Sequence, residues 1–219
     1  MTAARPDACA TALPAIVHVV DDEEPTRKAM ARLLAAAGFE VQTYGSGDDF
    51  LARFDRDARG CIVLDVRLPG ANGLELQLLI GQRENPLPIV FLTGHGEVRD
   101  SVRAIQRGAV DFLIKPVAGD VLLDAVSRAL AQDGANRAAR SHLQSVRDRY
   151  RRLTSREQEV FAHLIAGQLN KQIAADLGIA ERTVKLHRAR IFEKLETDSI
   201  AALARIGIDL GIEPLGTST

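Results

Sequence analysis

Residues 61–76 read CIVLDVRLPGANGLEL, and the order of side chains in that stretch decides the fold. Cys61–Leu64 are apolar without alternation, the pattern of a strand buried on both faces, and the run stops on Asp65. The turn-forming stretch Pro69–Gly73 follows, and a new apolar segment opens at Leu74. The stretch therefore predicts a strand over Cys61–Asp65, a turn and then a helix. IVFLT at Ile89–Thr93 repeats the strand pattern, and Ile16–Val20, Glu40–Tyr44 and Asp111–Ile114 are further strand candidates. Helical stretches near 25–37, 47–54, 72–82 and 98–107 lie between them, and a fifth begins near Ala118. Five such βα units predict an α/β, doubly wound, five-stranded parallel sheet. Ligands of such sheets sit at the carboxyl ends of the strands.

Chemistry-bearing residues fall at those ends. Asp21 and Asp22 follow IVHVV, Asp65 ends CIVLD, Thr93 ends IVFLT, and Lys115, followed by Pro116, ends DFLIK. Clustered carboxylates repel one another and need a cation, and an all-oxygen site suits Mg²⁺. One carboxylate can then act as nucleophile toward a phosphoryl group, with an ammonium neutralising its oxygens and a hydroxyl donating to them. Taken singly, each residue has a plainer reading. Asp21–Glu24 ahead of Pro25 could cap a helix, a strand-end Asp is often a turn former, and a lone Lys is often surface. Jointly, five such residues at the ends of four strands exceed what capping explains.

At 219 residues there is room for two small domains, and 46% hydrophobic with 26% charged residues fits a globular chain. No apolar run approaches the roughly 20 residues of a membrane span, and the start makes a poor export signal. Residues 1–14 read as a loose tail. Cys9 and Cys61 have no metal or redox spacing, Cys61 reads as a small buried hydrophobe, and a reducing cytoplasm is expected. Residues 1–130 carry 14 Lys+Arg against 18 Asp+Glu, a net of −4, whereas 131–219 carry 14 against 11, a net of +3. An acidic front and a basic back suggest different partners.

After about residue 131 strand signals cease. Gly134–Arg152 holds six arginines and one Asp, with an apolar seam of Leu143, Val146, Tyr150 and Leu153 that suits a partner helix or the following domain equally. Thr154-Ser155-Arg156-Glu157 is a capping box opening a helix. Ala174, Gly178 and Val184 then suit a helix-turn-helix, with a small residue at the crossing, a positive-φ Gly in the turn and a branched residue packed inward. On the second helix Val184, Ile191 and Leu195 share a buried face, and Arg182, Lys185, Leu186 and Ala189 lie opposite, flanked by His187, Arg188 and Arg190. Such a face can enter the major groove of double-stranded DNA, or be an ordinary solvated basic surface. Glu181 and Glu193 dilute its charge, so modest affinity per monomer is expected. His18, His95, His142 and His163 show no metal-ligand spacing.

Through VVDDE, VLDVRLPGANGLEL, FLTGHGE and GAVDFLIKPV the chain resembles response-regulator receivers over roughly residues 15–131. The resemblance implies that Asp65 takes a phosphoryl group from a phosphohistidine on a sensor histidine kinase. It also implies Mg²⁺ held by Asp22, Asp65 and the backbone carbonyl of Arg67, with Asp21 assisting, and a cis Lys115–Pro116 bond. Lys115 would pair with the phosphoryl group, and Thr93 with Phe112 would form the switch pair; Phe112 also reads as a core residue.

LTSREQEVFAHLIAG, NKQIAADLGIAERTVKLHRARIFEKL and SIAALARI resemble the LuxR-type helix-turn-helix from Leu153 to about Gly207. The whole is similar to the NarL/FixJ family, and VRLPG, GLELQ, TGHGEV and GAVDFLIKP lean toward its FixJ-like branch. Implied are a receiver over 15–131, a basic helical linker over 132–148 and a DNA-binding domain over 149–214 with its motif at about 170–190. Arg182, Thr183, Lys185, Leu186, His187, Arg188 and Arg190 would contact DNA. Phosphorylation would bring a homodimer, with Ile200–Ile206 as its helix or simply closing the core, and no membrane or catalytic turnover is implied. Two rivals remain at this point. A phosphatase of the haloacid-dehalogenase type expects a second Asp where Arg67 stands, and the basic half could be a protein-docking surface.

Overall fold

The structure is a computed structural model that describes residues 14–55, 58–70, 72–83, 85–94 and 98–215. Cys9, His95 and residues 1–13 of the expected tail lie outside the described residues. The chain runs β1 (Ile16–Val20), α1 (Glu24–Ala36), β2 (Glu40–Tyr44), α2 (Gly47–Arg53), β3 (Gly60–Asp65), α3 (Gly73–Gly81), β4 (Ile89–Thr93), α4 (Val98–Gln106) and β5 (Asp111–Ile114). It continues through α5 (Gly119–Arg151), α6 (Ser155–Ile165), α7 (Asn170–Leu177), α8 (Glu181–Lys194) and α9 (Ile200–Leu210). Two compact units divide between Asn136 and Arg137. No described helix is long and apolar enough to cross a membrane.

In the first unit all strand pairs are parallel, in the order β2-β1-β3-β4-β5. The unalternating runs are the inner strands, and every residue of β3 and β4 is buried. Glu40, Gln42 and Thr43 of β2 are exposed, as befits an edge. Alternation along β3 divides the core in two. Ile62 and Leu64 join Phe50, Leu76, Ile80 and Phe91 on one face, whereas Cys61 and Val63 join Val17, Leu34, Leu122 and Val126 on the other. Burial pushes the Cys61 thiol up to about 12, which keeps it a neutral, unreactive hydrophobe.

β3 starts one residue earlier than the apolar run predicts. Gly60 takes φ 136°, and a Cβ there would stand 1.8 Å from the Ile16 carbonyl oxygen, so only glycine fits beside β1. Its N–H donates to the Asp133 carboxylate of α5 at 3.0 Å, a buried contact that ties the strand's start to that helix.

The second unit packs Val160, Phe161 and Leu164 of α6, Ile173 of α7, Val184 and Ile191 of α8 and Leu203 of α9 around one core. The seam with two readings resolves here. Val146 and Leu153 are buried in this core and Tyr150 packs edge-on against Phe161 at 5.3 Å, while Leu143 is only half-buried. Glu157 anchors the unit. Thr154 N–H donates to its carboxylate at 2.8 Å, and Lys194, from the far end of α8, donates to it at 2.6 Å. Burial would raise the Glu157 pKa, but the Lys194 and Thr154 hydrogen bonds overcome this and hold it below the usual glutamate value.

His18 of β1 is buried among Tyr44, Phe50 and Phe54. The Tyr44 hydroxyl donates its proton to Gln42 Oε1 at 2.9 Å, so it can only accept from His18 Nδ1, also at 2.9 Å, which therefore carries the ring proton. His18 Nε2 is buried with no hydrogen-bond partner among the described residues. Burial accordingly lowers the His18 pKa from 6.5 to about 4. The unfolded chain takes up this proton near pH 6.5 and the folded chain does not. Stability is thus full above that pH and falls as pH drops toward 4. Denaturant unfolding should show the wild type losing about 2 kcal/mol more than His18→Gln between pH 7 and pH 5. Parallel pH profiles for the two proteins would refute this account.

Candidate functional site

Strand order reverses between β1 and β3, so a crevice opens at the carboxyl ends of those strands. Asp21 and Asp22 follow β1 directly and Asp65 closes β3, which places the acids at that crevice. One oxygen from each of the three lies within 4.8 Å of the others. Asp21 and Asp65 are buried and Asp22 is exposed. Lys115 follows β5 and reaches across: its Nζ donates to Asp21 Oδ2 at 2.7 Å and to Asp65 Oδ2, with Glu23 Oε2 3.9 Å away. Backbone amides occupy the other oxygens. Glu23 N–H donates to Asp21 Oδ1 and Arg67 N–H to Asp65 Oδ1, both at 2.9 Å. Thr93 is buried at the end of β4, and its carbonyl accepts from Lys115 N–H at 2.7 Å. The Lys115–Pro116 bond is cis. Phe112 is half-buried, its ring centroid 6.0 Å from that of Phe91.

Burial raises the Asp21 pKa against the opposing pull of Lys115. For Lys115 burial acts downward, yet the hydrogen bonds to Asp21 and Asp65 hold it above the ordinary lysine value. The ammonium is therefore charged and its neighbours need it. The donor set around the three acids is all oxygen and anionic, which fits a hard divalent cation such as Mg²⁺.

The expected cap of α1 takes another form. Glu23 is the N-cap but its side chain makes no capping bond to the backbone. Asp21 instead turns toward Lys115, and Arg27 Nη1, not singled out in the sequence, donates to the Asp21 carbonyl at 2.6 Å. The turn after Asp65 is held by Asn72, whose side chain accepts from Leu74 N–H at 3.0 Å while Gly73 N–H donates to the Val66 carbonyl at 3.0 Å. A Cβ on Gly73 would stand 2.4 Å from the Asp65 carbonyl oxygen, so α3 starts against the strand end only because residue 73 is glycine.

In the second unit α7 and α8 are joined through Gly178, left-handed at φ 64°, and Val184 is fully buried. Ala174 packs on the same core. Along α8, Arg182, Lys185, Leu186, Ala189 and Arg190 are exposed, and Leu186 shows 50% of its surface. Thr183, His187 and Arg188 are half-buried. Arg188 donates to Asn170 Oδ1 at 2.7 Å, tying α8 to the start of α7, and Lys185 stands 3.6 Å from Glu181. One face of α9 enters the core through Leu203 and Ile206, while Ile208 is exposed.

Residues 17–127 match the family described as response regulator receiver domain, and residues 151–206 match bacterial regulatory proteins, luxR family. Nodulation protein W of Bradyrhizobium diazoefficiens is 41% identical over 90% of this chain and 87% of its own length. Transcriptional regulatory protein FixJ of Rhizobium meliloti is 40% identical over 90% of this chain and 97% of its own. The chain is a two-component response regulator of the FixJ-like family. Among solved structures, response regulator StyR aligns at TM-score 0.78 with 42% identity over 88% of this chain and 98% of that one. Full-length FixJ from B. japonicum aligns at 0.55 with 35% identity over 90% and 98%.

The regulator's receiver thus gathers Asp21, Asp22, Asp65 and Lys115 at one crevice, and Thr93 ends the neighbouring strand β4. Of Arg67 it turns the amide toward Asp65. The LuxR-type domain exposes Arg182, Lys185, Leu186 and Arg190 on one helix and draws Arg188 into an internal bond. Missed by the sequence reading were Arg27, the close approach at Gly73 and the Glu157–Lys194 pair. Each depends on contacts between distant segments that no spacing rule reports. Gly73→Ala should cost about 1–3 kcal/mol in urea unfolding, because the Asp65 strand end and α3 must separate. Wild-type stability in that variant would contradict the close approach.

Proposed function

We propose that Asp65 accepts a phosphoryl group from a phosphohistidine on a sensor histidine kinase, and that this controls dimerisation and sequence-specific DNA binding. The observation that carries the reading is the Lys115 ammonium bridging Asp21 and Asp65, a nucleophilic carboxylate beside a fixed cation. An Asp65 oxygen attacks phosphorus, the P–N bond breaks as the P–O bond forms, and the imidazole leaves as the neutral ring after taking a proton. Lys115 neutralises the phosphoryl oxygens and Thr93 donates to one of them. Mg²⁺ held by Asp22, Asp65 and the Arg67 carbonyl, with Asp21 assisting, would supply further positive charge there. The kinase docks near α1, and a hollow of about 530 Å³ lined by Met30, Leu33, Pro116 and Val117 beside Lys115 supports that placement. The acyl phosphate is a signal and not a step of turnover.

Phosphorylation then biases an existing equilibrium, Thr93 moving toward the new group and Phe112 turning inward. Two copies pair and set their α8 helices in the major groove of two half-sites. Arg182, Thr183, Lys185, Leu186, His187, Arg188 and Arg190 supply contacts to phosphates and base edges. The receiver spans 15–131, the basic helical linker 132–148 and the DNA-binding domain 149–214. The protein acts in the cytoplasm to regulate transcription, and activation is the direction we propose.

Radiolabel from a phosphorylated kinase should enter the wild type and not Asp65→Asn, and EDTA should stop uptake. Normal labelling of Asp65→Asn would end the phosphorylation reading. Selection of bound DNA with and without phosphorylation should enrich paired half-sites in the phosphorylated sample. Arg190→Ala should weaken binding and flatten its log–log salt dependence by about one unit of slope. Binding without a salt slope or site preference would favour a protein-docking role for this domain.

A further inference from the structure

Few of the described side chains of α4 are buried. Among its described side chains only Ala104 is buried, while Val102 and Ile105 face outward at 48% exposure each. Its C-terminus closes at Gly108, left-handed at φ 87°, with Ala109 N–H donating to the Ala104 carbonyl at 3.0 Å. The last carbonyls of a helix have no partners within it and look for donors elsewhere.

The Ala104 carbonyl, already accepting from Ala109, takes a second donor from another helix. Gln77 of α3 is buried, and its Nε2 donates to the Ala104 carbonyl at 3.0 Å and, more weakly, to the Arg107 carbonyl at 3.5 Å. Its other end is unsatisfied. Gln77 Oε1 is buried with no hydrogen-bond partner among the described residues, beside a cavity of about 220 Å³ bordered by Ile80, Leu87 and Arg107. Gln77 sits in GLELQLLI, where an apolar side chain would fill the position without an orphaned oxygen. Packing alone therefore does not account for a glutamine here; its one productive contact is the cap on α4.

That contact joins two elements with different ties to the site. α3 begins against Asp65 itself, through Gly73 and its bond to Val66. α4 follows Thr93 along the chain by only a few residues. We infer that Gln77 is a positioning residue: it pins the C-terminus of α4 to α3 and so sets how readily α4, which follows Thr93 in the chain, gives way to the Thr93 movement proposed above. The inference rests on the phosphorylation reading above, whereas the pinning itself does not.

Full-length wild type, Gln77→Met and Gln77→Leu should be compared by hydrogen exchange, thermal unfolding and phosphoryl uptake from acetyl phosphate. Losing one neutral hydrogen bond should speed exchange in residues 101–108 about fivefold. The unfolding midpoint should hold or rise, since an apolar side chain replaces a half-satisfied amide. A residue that merely supported the fold would lower that midpoint along with local protection. Uptake should quicken by a similar factor because α4 is released. Unchanged exchange in α4, or faster exchange with unchanged or slower uptake, would overturn the inference. If the wild type took up no phosphoryl group from acetyl phosphate or from the phosphorylated kinase, the Asp65 reading would fall, and the exchange result would still decide whether Gln77 pins α4.

Discussion

Two buried carboxylates held by one ammonium are the constraint on which the receiver is built. Asp21 and Asp65 sit where strand order reverses, and like charges that close repel strongly at low dielectric. Lys115 lies between them with Nζ in reach of both. The fold makes this possible because β1, β3 and β5 run parallel and end on one edge. A shift of one residue in β3 against β1 would turn Asp65 to the opposite side of the sheet. Register, and not only topology, is what the acids depend on. The close glycine at residue 60 helps set it, since no other residue fits against the Ile16 carbonyl.

Much of this was legible in the sequence, for a definite reason. Strands buried on both faces read as unbroken apolar runs, so the point where a run stops on Asp65 or Thr93 marks both an element boundary and the functional edge. The Thr154 capping box and Gly178 were equally plain, because caps and positive-φ turns restrict residue type locally. Contacts between segments left no such mark. Gln77 lies in a stretch that is apolar all round, where periodicity gives no facing. Asp133 reads as one more helical acid until β3 is placed beside it.

The basic stretch 134–152 shows how a pattern can carry two readings and still be resolved by packing. Its apolar seam belongs to the core of the second unit, through Val146, Tyr150 and Leu153. A helix that buries one stripe must turn its remaining positions outward, so Arg147 and Arg151 are exposed as a consequence of that burial. Arg149 is engaged with Glu196 at 3.1 Å. Much of the charge that suggested a free basic connector is thus the polar side of a packed helix.

Each unit keeps an acid beside a lysine, and comparing the two separates structure from chemistry. Glu157 is shut away from solvent: it closes the capping box of α6 and takes Lys194 from α8, joining two helix ends that local sequence could not connect. Its hydrogen bonds from Lys194 and Thr154 outweigh the effect of burial and hold it as an anion with its oxygens engaged. Asp65 also has a lysine and a backbone amide, but it shares its lysine with a second carboxylate and stands beside a third, Asp22, that faces water. There the negative charge exceeds what one ammonium offsets, and the excess lies at an open edge. A surplus of that kind is relieved by binding a cation, and a carboxylate so placed can then meet a phosphoryl group. The same residue types make a lock in one unit and a receptive site in the other, and the difference lies in charge balance and access to solvent.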